Sequence, residues 1–264
     1  MVLKDKVVVI TGGAGGIGSA LGRRFSAEGA KSVVLADREA AHAQEVAASI
    51  GAGVRGVECD VGDEAQVKAL VDDVERLDGP IDLYCANAGI ALGTTPLSDD
   101  SEWEAAWHVN LMGTVVAARH LLPRWLERGG GYLLVTASAA GLLTTLGDAA
   151  YTATKHAAVG LAEWIWITYS DRGVKVSCLC PQGVRTNMVL NPAAAGAVGT
   201  EQVVRMGLIE PEQVADAVVE GLGDERFLIL PHPEVAEYFR NKGENHGRWL
   251  GGMRKMQRQL QATN

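Results

Sequence analysis

The sequence predicts an α/β protein built on a doubly wound, parallel seven-stranded sheet with helices on both faces. Three observations lead there. Short β-branched runs alternate with longer Ala-rich segments of helical spacing. The short runs are apolar at nearly every position, as strands buried on both faces must be. Glycine supplies 32 of the 264 residues, well above the usual ~7%, so many backbone sites hold turns or a close approach.

In chain order, residues 7–10 form an unbroken Val/Ile strand that opens onto a glycine loop and a helix over 16–28. A second strand, 32–36, leads through Asp37 to an Ala-rich helix at 39–50. The strand 54–59 precedes a helix at 64–77, and the strand 81–86 precedes a long helix at 101–127. Residues 132–136 form the fifth strand, ending beside Ser138, and a helix follows at 151–170. The sixth strand, 174–180, runs into an Ala/Gly-rich stretch at 187–207, long enough to be a functional loop or lid. A helix at 211–222 and a last strand at 227–230 complete the alternation. With no repeat, linker or composition break, one domain over 1–264 is the economical reading, with 231–264 as its tail.

The tail reads as helical. Pro231 and Pro233 stop the strand and suit a helix start, and Glu234 and Glu237 favour its first turns. A break is expected across 243–247. Trp249, Met253, Met256 and Leu260 then recur at helical spacing as one apolar stripe. The tail is expected to cover the substrate mouth or a neighbouring subunit, with Trp249 and Met253 inward.

Composition excludes several classes. The formal charge of −8 argues against nucleic acid as a partner. No apolar run reaches the ~18 residues that span a bilayer, and the first residues carry no signal-peptide pattern, so a cytoplasmic location is expected. Cys59, Cys85, Cys178 and Cys180 lie in or beside apolar runs and read as core residues, and no metal site is expected.

Between the first strand and helix lies Thr11-Gly12-Gly13-Ala14-Gly15-Gly16-Ile17-Gly18. A glycine loop in a strand–helix turn suits a dinucleotide pyrophosphate, which needs backbone N–H groups that no Cβ holds at a distance. Asp37, at the end of the second strand, suits the adenosine ribose hydroxyls and would repel a 2′-phosphate. Arg38 follows it, but the glycine loop holds no basic residue, so NAD is favoured over NADP. Tyr151 and Lys155 share a helix face at i, i+4. Ser138 lies thirteen residues before Tyr151, at the carboxyl end of a strand, where open α/β sheets place their sites.

These residues resemble the short-chain dehydrogenase/reductase family, in its short single-domain branch. The resemblance spans roughly residues 5 to 230. It rests on the glycine loop, Asp60-Val61, Asn87-Ala88-Gly89, Asn110, Ser138, Tyr151, Lys155 and Pro181-Gln182-Gly183-Val184-Arg185-Thr186. It implies a Rossmann-like fold with Tyr151 as acid/base, Lys155 lowering its pKa and holding the nicotinamide ribose, and Ser138 orienting the substrate oxygen. Asn110 would hold a water linking Lys155 to solvent.

The resemblance also implies that Gly12, Gly16, Ile17 and Gly18 line the pyrophosphate and that Asp60 and Val61 flank adenine. Asn87 would contact the adenosine ribose, while Val184 and Thr186 meet the nicotinamide end. Plain packing accounts equally well for Val61 and Val184. Two positions depart from the family pattern: Ala86 replaces the first Asn after the fourth strand, and Gln182 enters the usual Pro-Gly.

The reaction implied is hydride transfer between a secondary alcohol and a ketone, on a neutral, fairly hydrophobic small molecule. The alternatives are an NADPH-dependent ketoacyl or carbonyl reductase, and a non-catalytic nucleotide-binding sensor. A homodimer or homotetramer is expected, as the family packs helices between subunits.

Overall fold

The computed structural model describes residues 1–190, 203–204 and 206–262. The chain runs β1 (Val7–Thr11), α1 (Gly16–Ala27), β2 (Ser32–Asp37), α2 (Ala40–Ile50), β3 (Val54–Glu58), α3 (Glu64–Leu77) and β4 (Leu83–Ala86). There follow α4 (Asp100–Trp107), a π-helical turn (His108–Met112), α5 (Gly113–Glu127), β5 (Gly131–Thr136), the single turn α6 (Ala139–Leu142), α7 (Ala149–Tyr169) and β6 (Val174–Leu179). The described remainder is α8 (Asn187–Leu190), α9 (Pro211–Gly223), β7 (Leu228–Ile229), α10 (Glu234–Glu244) and α11 (His246–Gln261). Much of the stretch read as a lid, 187–207, lies outside the described residues.

All seven strands are parallel, in the order β3-β2-β1-β4-β5-β6-β7. The chain starts at the centre, winds outward to β3 and returns beside β1 to wind the other way. That reversal opens a crevice at the carboxyl ends of β1 and β4.

The unbroken apolar strands follow from this winding. In β1, Val7 and Val9 face a core built with α3, α5 and α7, around Val71, Leu121 and Ile165. Val8 and Ile10 face the opposite core, built with α1 and α9 around Leu21, Phe25 and Val218. Trp125 is wholly buried, and its Nε1 donates to the Ile81 carbonyl at 2.8 Å. The four cysteines are buried free thiols.

Three elements differ from expectation. The helix expected over 101–127 is interrupted by the π turn that carries Asn110. An inserted residue of this kind does not disturb the apolar periodicity on either side, so the pattern reads as one helix. The last strand shrinks to Leu228–Ile229, paired with Cys178 and Leu179 at the sheet edge. In the tail only Asn245 separates the two helices, and Gly243 and Gly247 lie within them. Asn245 caps α11 by accepting from the Arg248 amide at 2.9 Å.

The glycine loop tests the fold most sharply. A Cβ on Gly18 would stand 2.1 Å from the Gly12 carbonyl oxygen, whereas one on Gly15 would meet that atom at an ordinary 3.4 Å. Gly18→Ala should cost about 1–3 kcal/mol, as overpacking does, and lower Tm by roughly 2–12 °C. Gly15→Ala should melt within ~2 °C of the parent. Equal melting temperatures for the two variants would contradict the packing.

Candidate active site

A cleft of about 1050 Å³ opens at the carboxyl ends of the central strands. One end is built by the glycine loop. Gly12 takes the left-handed backbone conformation at φ +61°, and its carbonyl accepts from the Gly15 amide at 3.2 Å. Helix α1 begins without a side-chain cap and without an acidic residue in its first turn. Its first amides therefore keep their attraction for an anion. A Cβ on Gly16 would lie 2.6 Å from Thr186 Cγ2, so Thr186 faces the loop from across the cleft.

Asp37 is tied to this loop. Its Oδ2 accepts from the Ala14 amide at 3.0 Å and its Oδ1 from the Glu39 amide at 3.3 Å. Asn87 joins β4 to β1, donating from Nδ2 to the Thr11 carbonyl at 3.0 Å. Asp60 Oδ1 accepts from the Gly62 amide at 2.8 Å. Ile17, Val61 and Val184 line the cleft as well, and Val61 and Val184 are also core residues. Packing and cleft lining thus coincide at both valines.

At the middle of the cleft the structure brings Ser138, Tyr151 and Lys155 together. Ser138 follows β5, and its Oγ accepts from the Ala140 amide at 3.1 Å. Tyr151 and Lys155 lie on the first turns of α7, with the Lys155 Nζ 5.5 Å from the Tyr151 ring centre. The ammonium is buried and donates to the Thr136 carbonyl at 2.9 Å. Burial pushes Lys155 down to about 8. Burial also raises Tyr151 above its ordinary value, and a hydrogen bond with Ser138 opposes that rise.

Asn110 acts as a brace: its Oδ1 accepts from the Ile90 amide at 2.8 Å, and its Nδ2 donates to the Ile90 carbonyl and to Thr154 Oγ1. It joins the loop after β4 to α7. The far end of the cleft is apolar, with Leu143, Leu146, Met188, Met206, Trp249 and Met253 among its lining residues. Trp249 and Met253 come from helix α11.

The short chain dehydrogenase family model matches residues 6–195, most of the chain and all of the sites above except those on the tail and Met206. The chain belongs to the short-chain dehydrogenase family. It is an oxidoreductase of the alcohol/ketone class, a class that works with NAD(P). The dehydrogenase is 36% identical to the 1-deoxy-11-beta-hydroxypentalenate dehydrogenase of Streptomyces exfoliatus over 245 residues, 89% of this chain and 86% of that one. It is 38% identical to the sex determination protein tasselseed-2 of Zea mays over 196 residues, 72% of this chain but 58% of that one. Among solved structures, a short chain dehydrogenase/reductase from Burkholderia phymatum in complex with NAD superposes with a TM-score of 0.84 at 30% identity, covering 92% of this chain and 95% of that one.

Two site residues of the dehydrogenase escaped the sequence reading. Asp148 is buried and caps α7. Its Oδ1 accepts from the Tyr151 amide at 3.0 Å and from Thr94 Oγ1 at 2.7 Å, while Oδ2 accepts from the Leu92 and Gly93 amides. An Asp just before an Ala-rich helix is an N-cap signal, so this one was legible. His232, between two prolines, holds the loop after β6: Nδ1 accepts from the Gln182 amide at 3.1 Å, and Nε2 lies 3.1 Å from the Gly183 carbonyl. Burial lowers its pKa, in keeping with a neutral ring that donates from Nε2. Only the fold brings that pair together, fifty residues apart.

Asp148→Ala should strand three amides and a hydroxyl. Each buried unsatisfied group costs ~1–3 kcal/mol, so Tm should fall by at least ~4 °C. Thermal unfolding of the variant checks this, and an unchanged Tm would show that water replaces the carboxylate at no cost.

Proposed function

We propose that this dehydrogenase interconverts a neutral, hydrophobic secondary alcohol and its ketone, with NAD favoured over NADP. The observation that carries the proposal is the meeting of Ser138, Tyr151 and Lys155 between an amide-lined cradle and an apolar pocket. The cradle fits a dinucleotide: Gly16 and Gly18 leave no room for a Cβ, and the α1 amides carry no competing cap. Gly12, Gly16, Ile17 and Gly18 would hold the pyrophosphate. Asp37 and Asn87 would serve the adenosine ribose, and Asp60 and Val61 the adenine. Tyr151, Lys155, Val184 and Thr186 would border the nicotinamide end. The bound dinucleotide supplies hydride exchange with the substrate carbon.

The chain supplies the proton. Ser138 Oγ and the Tyr151 hydroxyl would both reach the substrate oxygen, Ser138 to orient it and Tyr151 to exchange a proton with it. Alcohol oxidation needs Tyr151 as phenolate, and ketone reduction needs it protonated. The Lys155 ammonium favours the phenolate and so opposes the effect of burial. Asn110 would hold the loop after β4 and α7 in register around this pair.

Among the described lining residues of the apolar end there is no Lys or Arg, which favours an uncharged substrate. Asp37 and Glu39 both line the cleft; if the adenosine ribose sits there, two carboxylates would repel a 2′-phosphate. Exposed Trp164, Trp166 and Ile167 on α7 support a homodimer or homotetramer packed through that helix. Four free buried thiols support a reducing, cytoplasmic setting. Among the described residues, no helix is long and apolar enough to cross a membrane.

Tyr151→Phe keeps the ring and removes the exchangeable proton. NADH should still bind, as read by fluorescence titration, while turnover of secondary alcohols falls by at least ~10²-fold. A near-normal kcat would remove Tyr151 from the proton step. For the cofactor, kcat/KM with NAD should exceed that with NADP by ~10-fold or more, and Asp37→Ser should narrow the ratio. A native preference for NADP would mean that Arg38 outweighs the two carboxylates.

A further inference from the structure

The tail helices meet the cleft along one face. Tyr238 and Asn241 of α10 and Trp249, Met253 and Met256 of α11 line it. Val235 and Leu260, near the outer ends of this helix pair, are buried. Between them α10 and α11 are largely exposed, so apolar contact alone holds the middle of the pair weakly.

Lys242 occupies that middle. Its Nζ donates to the Leu142 carbonyl at 2.7 Å and to the Leu143 carbonyl at 2.8 Å. These are the open carbonyls at the end of α6, where a cation is favoured. The same Nζ lies 3.4 Å from His156 Nε2. His156 Nδ1 is 2.9 Å from the Thr152 carbonyl, which places the ring proton on Nδ1 and leaves Nε2 to accept. The three donors of the ammonium thus meet three acceptors, on α6, the residue after it and α7. The ammonium also stands 5.0 Å from the ring centre of Trp249, on its own tail.

We propose that Lys242 is the latch that holds α10 and α11 over the apolar end of the cleft, making it the residue that sets how bulky a substrate fits. The latch joins two walls of one pocket. Leu143 and Leu146 belong to the segment after Ser138, and Trp249 and Met253 belong to the tail. Lys242 touches no reacting atom and acts by positioning these side chains. The specificity consequence rests on the alcohol/ketone reading above, whereas the latch itself rests on the contacts alone.

The test uses the full chain with Lys242→Met, which keeps an apolar stem and loses the donors, and Lys242→Arg, which keeps charge and donors. Tryptic cleavage after Arg248, Arg254 and Lys255 should speed up at least ~10-fold in Lys242→Met and return toward the parent rate in Lys242→Arg, because cleavage follows the population of the open form. In Lys242→Met the KM ratio of cyclohexanol to 2-butanol should shift at least ~5-fold while kcat stays within ~3-fold and the NADH Kd is unchanged, the mark of altered ground-state fit. Equal cleavage rates overturn the latch. Faster cleavage with an unchanged KM ratio overturns its role in specificity. Failure of the parent to oxidise any alcohol counts against the functional reading, and the proteolysis result still decides the latch.

Discussion

The rest of the site depends on one buried charge. Lys155 is almost wholly inside the protein, at the point where α7 passes the carboxyl end of β5, and its Nζ reaches the Thr136 carbonyl. A buried ammonium costs several kcal/mol unless it is partnered; the Thr136 carbonyl is one acceptor, and nearby glycines leave room for the side chain. Gly141 has no Cβ, which lets the α7 backbone approach to where a Cβ would sit 2.5 Å from the Lys155 carbonyl oxygen. A Cβ on Gly89 would stand 3.3 Å from both the Lys155 Nζ and Asn110 Oδ1. Asp148 sets where α7 begins, and with it where Tyr151 and Lys155 point. Burial lowers Lys155 and raises Tyr151, so it disfavours the charged form of each, and the attraction between ammonium and phenolate works against both shifts.

The doubly wound sheet divides the cleft into two chemical environments. At one end the anion site is made from backbone amides and a helix terminus, without a basic residue in the glycine loop. This suits a protein whose overall charge is −8, because the attraction is local and needs no basic surface. At the other end the lining comes from segments distant in sequence: the turn after Ser138, α8 and the tail helices. The anion site is one continuous loop. The other end is an assembly, held by contacts such as those of Lys242.

Legibility in the sequence follows that division. The strands could be read because both faces of each are buried, and this leaves continuous apolar runs. Ser138, Tyr151 and Lys155 could be placed because each sits at a strand end or on a helix face of regular spacing. The tail's stripe was readable, and Trp249 and Met253 do line the cleft. Asn110 was found, but its π turn was not, because one extra residue leaves the helical pattern intact on both sides. The break expected across 243–247 reduces to Asn245, since glycine disfavours helix only by ~1 kcal/mol and neighbouring turns outweigh it. His232 and Lys242 carry no local signal: each acts on carbonyls or amides far away in sequence.

The central claim is that the Lys155 charge makes Tyr151 a usable base. The most direct measurement is the pH profile of kcat/KM for alcohol oxidation at saturating NAD, for the parent and for Lys155→Met. The account predicts a parent rate that rises with pH as Tyr151 loses its proton. In Lys155→Met the rise should move up by at least ~1 pH unit, with a pH 7 rate at least ~10-fold lower. Profiles of the same position and height in the two proteins would contradict it.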